Sequence, residues 1–500
     1  MHIITWTSTH PQCMMLSKVY TFGGVIVKVC KNNKEIVLEA IRQGDIDAVA
    51  VGFDNLIDQI ILNMHHHGLL RLLEQAFAEK REDNLSIPLS LFLTLSAAAK
   101  MKLKTSVSDI PYAITDIQTL SELGYNLVDL ENGLEEGLMT EGMVRHLVNK
   151  YQESLVPEDP YSHSFTASYN RYVQDHVLPS RNMRPNIHIV DCTKLETNLK
   201  NENYELSEVV KDKGGVYRGY KMGNLRGITG DIGILEEVKL GSIRTHDLEL
   251  CRDMLLKTPV LHPGDILIND RGFLDRQMMN ALKIERGVDT YVPVRKNMDI
   301  YAMAVSCAIE QNQWQPHPNK KRETQSITLV QDLGPFWQSE EVGRDQEVPL
   351  NACVVRDQSI KKEQETEYYV FVTTDLTQTA KSIIKTYELR PEIEEDYRQI
   401  KDFWKLEDFK STKYGFVVFH IIMVLLGYLF FQIFKTLDGN EKYHKKSLPV
   451  LVKQYVPKNN KPSITVYAGS YFGIFSLLEL MDIYVSVGDN VRTKLRSALT

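Results

Sequence analysis

The sequence predicts an α/β fold in which a strand-and-helix core is interrupted by a β-rich insertion, preceded by a mostly helical region and followed by a helical one. Three observations carry this. Two short apolar runs each end in an acid: Asn186–Asp191 (NIHIVD), and Asp265–Asn269 (DILIN) followed by Asp270. That is the pattern of buried strands covered by helices. Between and after them, helical periods alternate with strand-like runs. Last, a charged helical stretch, Tyr387–Lys401, leads into a long apolar one, Gly415–Phe434.

Residues 1–60 form a small segment that mixes short β-like runs (Val25–Val29, Ala48–Val51) with polar turns and carries no functional signal. His65, His66 and His67 are consecutive, so on a helix they point in different directions and do not predict a shared metal. Residues 61–184 read as a helical region. It contains IPLSLFLTLSAAAKMKL from Ile87, a cap at Ser108 and Asp109 before Pro111, YAITDIQTLSEL closed by Gly124, and EGLMTEGMVRHLVNKY. Short helices joined by tight turns are compatible with a helix-turn-helix DNA reader and equally with a plain bundle. Tyr151–Arg184, richer in Pro, Ser and polar residues, reads as a linker.

The core occupies residues 185–298 and 376–436. After Asn186–Asp191 come strands at Val216–Met222 and Gly233–Ile243, separated by Gly-rich turns, then a helix at Asp247–Leu255. Asp265–Asn269 is the next strand, followed by a helix at Asp275–Ile284 and a strand at Thr290–Val294. The order is three strands, helix, strand, helix, strand. The insertion, 299–375, holds strand-like pieces at Gln325–Val330, Leu350–Val355 and Tyr368–Thr374, and a basic loop at Lys320, Lys321 and Arg322. Residues 437–500 begin Lys-rich with Pro449, Pro457 and Pro462, and end in helical text.

A chain of 500 residues, 43% hydrophobic and 25% charged, is globular and long enough for several domains. Six cysteines without CxxC or Cys/His spacing indicate neither a zinc module nor a disulfide framework, and fit reduced cytosolic thiols. A formal charge of -7 argues against coating nucleic acid by bulk positive charge, while leaving room for local acid beside local base. The start, MHIITWTSTHPQCMM, has no basic region before an apolar one and predicts no secretory signal. Gly415–Phe434 is long enough to span a bilayer, but it follows a charged helix and contains His420 and Gln432. A buried helix of a soluble core, without a membrane, is the expectation.

The chemistry concentrates in YELRPEIEEDYRQIK. Tyr387, Arg390, Glu394 and Lys401 are spaced three, four and seven apart, which places them within about 60° on one helix face. A carboxylate there can hold a divalent cation while its cationic neighbours hold phosphates. Pro391 qualifies the picture, because it lacks a donor and crowds the carbonyl of Tyr387, so the helix starts or kinks there. Asp191 and Asp270, at the ends of matching apolar strands, and Glu394, on the later helix, can converge on one point. Three carboxylates suffice for two Mg²⁺ ions that activate an attacking oxygen and stabilise a leaving one.

These residues resemble the DDE transposases of bacterial insertion sequences, in the group marked by Y-x2-R-x3-E-x6-K. Asp191 within DCT resembles the first catalytic Asp, and Asp270 within NDRGF the second. The family's aromatic position falls on Asp275 here, so Phe273 is not assigned a role. The resemblance implies a ribonuclease-H-like catalytic core that binds two Mg²⁺ (or Mn²⁺), cuts transposon ends and joins the freed 3′ hydroxyl to target DNA. It implies Asp191, Asp270 and Glu394 as catalytic metal ligands, and Tyr387, Arg390 and Lys401 as DNA contacts. Trp314 and Trp337 in the insertion are candidates to stack on a flipped base. The implied setting is a cytoplasmic bacterial protein, nucleoid-associated on DNA and assembled there as a homodimer, with residues 437–500 in a possible assembly role. The alternatives are a ribonuclease-H-like nuclease without strand transfer and a catalytically inactive DNA-binding descendant.

Overall fold

Alternation of side chains in IHIVDCTKLET buries Ile189 and Asp191 on one face of β1, Ile187–Thr197, and it carries the strand past Asp191. The expected end at Asp191 is therefore corrected on one side only. β1 pairs along its whole length with a long antiparallel neighbour, while its parallel neighbour stops at the pair Asn269–Val190. In the computed structural model the described residues are 19–22, 25–29, 31–52, 55–77, 89–114, 119, 122–123, 127–129, 141–150, 158–180, 184–230, 232–333, 348–358, 366–437, 439–454, 463–469 and 471–499. They divide into two units, Ser154–Ser162 with Tyr169–Gln399, and Met1–Glu153 with His163–Ser168 and Ile400–Thr500.

The unit containing β1 continues through β2 (Glu208–Asp212), β3 (Gly215–Thr229), β4 (Ile232–Ser242), α1 (Asp247–Lys257), β5 (Ile266–Asn269), α2 (Arg276–Arg286) and β6 (Asp289–Pro293). The insertion then opens with a helix not expected from the sequence, α3 (Asp299–Gln311). It continues as β7 (Gln315–Pro316), β8 (Gln325–Val330), β9 (Asn351–Asp357) and β10 (Glu367–Thr373), before α4 (Ala380–Tyr387) and α5 (Pro391–Arg398). The strands form one sheet in the order β7-β8-β9-β10-β6-β5-β1-β3-β2, with β4 also on β3. β5 is parallel to β1 and β6 is parallel to β5; the other pairs are antiparallel. The insertion thus extends the core sheet through β10 on β6. Val292, Ile300, Ala304, Val354 and Val370 form its apolar core.

Between β3 and β4 the register slips, because Leu225 faces Glu237 whereas Arg226 faces Leu235. Glu236 is the extra residue of this bulge, and a bulge re-aims the side chain it carries. Glu236 is fully buried, 2.8 Å from Nδ1 of His188 on β1. Nε2 of His188 is 3.5 Å from Asp265, too long for a good hydrogen bond, so that contact is chiefly Coulombic. Desolvation lowers the affinity of His188 for its proton, but Glu236 and Asp265 more than offset it and hold the ring at about 9 against an ordinary 6.5. Burial also raises the Glu236 carboxyl. Stability from a raised histidine is fully present below pH 6.5 and lost as pH rises through 9, and a raised carboxyl acts with the same sign. The melting temperature is expected to fall between about pH 7 and 10, and the double variant His188→Gln, Glu236→Gln to flatten that fall. Equal slopes in the two proteins would exclude this account.

Within Tyr151–Arg184, expected as a linker, residues 164–180 are helical, with Tyr169, Tyr172, Val173 and Val177 buried. Their three- and four-residue spacing is a helical stripe that the Pro and Ser content hid.

In the other unit, Leu89–Met101 is a helix buried along its whole length, so any DNA-reading face of the helical region lies on other elements. Ser106, rather than Ser108 or Asp109, caps the short helix Val107–Tyr112. Half of YAITDIQTLSEL lies outside the described residues. Tyr414–Thr436 contains the long apolar stretch and is long and apolar enough to cross a membrane, yet its whole apolar window is buried. Phe419 stacks on Phe92, and Tyr428 meets Trp404 edge-on. His420 bonds the carbonyl of Lys405, and Gln432 donates to the Tyr428 hydroxyl. The C-terminal region adds a hairpin, Ser463–Ala468 and Tyr471–Ser476, to its helices. It pairs with Ala48–Gly52 and Lys31–Asn32 of the N-terminal segment over a core of Val37, Val49, Val466 and Phe475.

Candidate active site

Parallel pairing places the first two acids together. β5 ends where Asn269 meets Val190, so Asp270 follows the end of β5 at the level that Asp191 holds on the adjacent β1, the position where parallel strands present ligand-binding groups. Asp270 begins the short helix Arg271–Phe273 without using its side chain as a cap, which frees its carboxylate. Phe273 is fully buried in the core.

The third acid arrives on α5, and Pro391 is the first residue of that helix. The single face expected for Tyr387, Arg390, Glu394 and Lys401 is therefore broken. Tyr387 ends α4, the chain turns through Glu388–Arg390, and α5 starts afresh. Proline is pre-shaped for a first helical turn and hostile to an interior one. Tyr387 is half-buried with its ring 4.6 Å from Phe371, and burial raises its phenol. Lys401 falls in a π-helical turn, Gln399–Phe403, within the other unit, where it pairs with Glu407 at 3.1 Å.

Arg390 joins the three carboxylates. Its Nη2 is 3.1 Å from Asp191 Oδ2 and 4.0 Å from Asp270 Oδ2, and its Nη1 donates to Glu394. Desolvation works against its charge, but Asp191, Asp270 and Glu394 together raise its pKa. Asp191 is held hardest. The backbone N–H of Cys192 donates to Oδ1 at 2.9 Å, and the buried Tyr397 hydroxyl donates to the Asp191 carbonyl at 2.8 Å. Burial nevertheless pushes the Asp191 carboxyl up to about 6, against the pull of Arg390 and Cys192. Asp270 and Glu394 are far more open, at 36% and 55% side-chain exposure, so they face any ion or nucleic acid that approaches.

Sequence reasoning missed several neighbours. Asn224 is opposite Asp191 in register, fully buried, and both atoms of its carboxamide lack a partner. Asp247, first in α1, adds negative field at Asp191 and is held by Lys221 at 2.8 Å. Neither belongs to a motif, and only strand register brings them near. In the insertion, Arg322 of the basic loop is 3.3 Å from Glu388, beside the signature turn. Trp314 is half-buried against the insertion core, with the Arg356 guanidinium over its ring at 4.3 Å and Tyr368 at 6.2 Å. A stacking base would compete with that guanidinium. Trp337 lies outside the described residues.

Residues 187–430 match the family described as Transposase DDE domain. The chain carries a DDE transposase domain. No curated protein matches it. The DDE domain places it among nucleic-acid-cleaving enzymes of transposition and recombination, a family that typically uses divalent metal ions. Among the described residues no three acidic or imidazole groups stand at ligand spacing; Asp191, Asp270 and Glu394 gather on Arg390 instead. The donors still fit such a cation. Three hard carboxylates converge on one positive charge, and the orphaned Asn224 carboxamide lies opposite the most buried of them.

Proposed function

We propose that this protein is a DNA transposase that cuts transposon ends and joins the freed 3′ hydroxyl to target DNA, with Asp191, Asp270 and Glu394 holding two Mg²⁺ or Mn²⁺ ions. The carrying observation is the gathering of these three acids on the Arg390 guanidinium. When bound, the ions supply Lewis-acid activation of the attacking oxygen and charge stabilisation at the leaving one. The chain's own residues do the rest. Asp191 is the fixed member, locked through Cys192 and Tyr397. Asp270 and Glu394 are the open members. Arg390 neutralises the acids without metal and, with the loop Lys320–Arg322, offers cations to DNA phosphates.

The sheet order supports reading this core as ribonuclease-H-like. β4-β3-β1 form an antiparallel set, β5 and β6 extend it in parallel, and the third acid follows on a later helix. Assembly as a homodimer on DNA is proposed for the C-terminal region, whose helix Leu477–Ser486 exposes Leu477, Leu478, Met481 and Val485. The burial of Tyr414–Thr436 supports a cytoplasmic protein that needs no membrane. Tyr387 and Lys401 remain proposed DNA contacts on the family signature alone.

Incubation with supercoiled plasmid carrying the element ends, with Mg²⁺ or Mn²⁺, tests this. Cleavage at the ends with strand-transfer products is the expected result. Cleavage without joining would make the protein a nuclease only, and end binding without cleavage would make it an inactive descendant.

A further inference from the structure

Arg226 lies on β3, in register with Ile189 two residues before Asp191, and is almost wholly buried. Its guanidinium reaches across to α5, where Nε donates to Asp396 Oδ2 at 2.5 Å and Nη1 to Glu392 Oε2 at 3.0 Å. Gly233 on β4 makes room for it, since a Cβ there would collide with the guanidinium. The register slip between Leu225 and Arg226 sits at the same place. A bulge, a glycine and two acids are thus arranged around one arginine.

Glu392 and Asp396 are four residues apart and share one side of α5, while Glu394 between them points about 180° away. The flank of α5 nearer Glu394 is fixed separately, by the Tyr397 hydroxyl on the Asp191 carbonyl. With both flanks tied, rotation of α5 about its own axis is what the two contacts jointly prevent. A roll of about 20° would move a group on the helix surface, about 6 Å from the axis, by roughly 2 Å. Misplacement by 1 Å is enough to cost about 100-fold in an oriented reaction.

We propose that Arg226 is a positioning residue that sets the roll of α5 and so brings the Glu394 carboxylate to Asp191 and Asp270. It rests on the reading of these acids as the cleavage site. Arg226 touches none of the reacting groups and acts through Glu392 and Asp396.

The test uses the full chain in three variants. Glu392→Gln removes one arm at a half-exposed position and leaves no buried charge unpaired, since Asp396 still faces Arg226. Gly233→Ala displaces the guanidinium, and Arg226→Lys keeps the charge but cannot span both acids. Three quantities are read: kcat and KM for end cleavage, the melting temperature without metal, and its rise on adding Mn²⁺. For Glu392→Gln, kcat is expected to fall about 10- to 100-fold with KM for DNA within about twofold. Its metal-free melting stays within about 2 °C of wild type, and the Mn²⁺-induced rise shrinks by about half or more. Gly233→Ala shows the same losses in kcat and in the Mn²⁺ rise, at a lower metal-free melting temperature because it unseats a buried ion pair, and Arg226→Lys falls between wild type and Glu392→Gln in kcat.

Wild-type kcat and Mn²⁺ rise in both Glu392→Gln and Gly233→Ala would overturn the proposal, as would losses that only track metal-free melting. A wild-type protein that responds to Mn²⁺ but does not cut DNA would sink the proposed function, and the positioning role would then be decided by the Mn²⁺ rise across the variants. A wild type with no Mn²⁺ response overturns both.

Discussion

Glu394→Gln is expected to reduce cleavage at the element ends by about 1,000-fold while leaving the fold intact. Loss of one charged donor from a metal-assisted phosphoryl transfer removes several kcal/mol of charge stabilisation, and about 4 kcal/mol corresponds to a factor of about 1,000 in rate. The fold is spared because the Glu394 side chain is 55% exposed and the group it bonds is the Arg390 guanidinium. End binding, measured by gel retardation at one salt concentration, should change little, since the substitution removes negative charge. Cleavage within tenfold of wild type would move the third acid elsewhere, with Asp247 the first replacement to test because its field already reaches Asp191.

Arg390→Met gives the opposite signature. Arg390 is the cation shared by three carboxylates, and its side chain is 16% exposed. Without it Asp191 is left as a buried acid beside two others. Removing one partner from a buried pair costs about 3–5 kcal/mol, which corresponds to a melting temperature lower by on the order of 10 °C for a unit of this size. Divalent metal should then stabilise the variant more than the wild type, because the acids lose a competitor for positive charge. Calorimetry with and without Mn²⁺ checks this. A variant as stable as wild type without metal would show that the three acids are already solvated apart from one another.

The convergence of Asp191, Asp270 and Glu394 was legible because each lies where a local rule points to it. Asp191 and Asp270 follow apolar runs, and β5 does end at Asn269. Glu394 sits in a spaced signature. The single helix face was not legible, because Pro391 at the first position of α5 separates Tyr387 from that helix, and a π-helical turn carries Lys401 out of step. Arg226, Asn224 and Asp247 were beyond sequence reasoning for another reason. A lone arginine or asparagine in a strand carries no periodic signal, and only the pairing of β1 with β3 tells which face it shares. The insertion's strands were legible, but its opening helix, α3, was not. Its buried Ile300, Ala304 and Ala308 are few, small and spread thinly among exposed residues.

The sheet that joins Ala48–Gly52 to Ser463–Ala468 has a consequence for the order of events during synthesis. Asp47 and Gly469, bonded across the end of that pairing, are 422 residues apart in the chain. At the usual pace of translation, about 5–20 residues per second, Ala48–Gly52 waits roughly 20–80 s for its neighbour. Through that interval its edge is open and Val37, Ile41 and Val49 have no hairpin to cover them. A message broken before Ser463 would yield a product with that edge permanently bare, a target for proteases and for pairing with other chains. Only a chain translated through the hairpin can close this layer, so a truncated product would be short-lived.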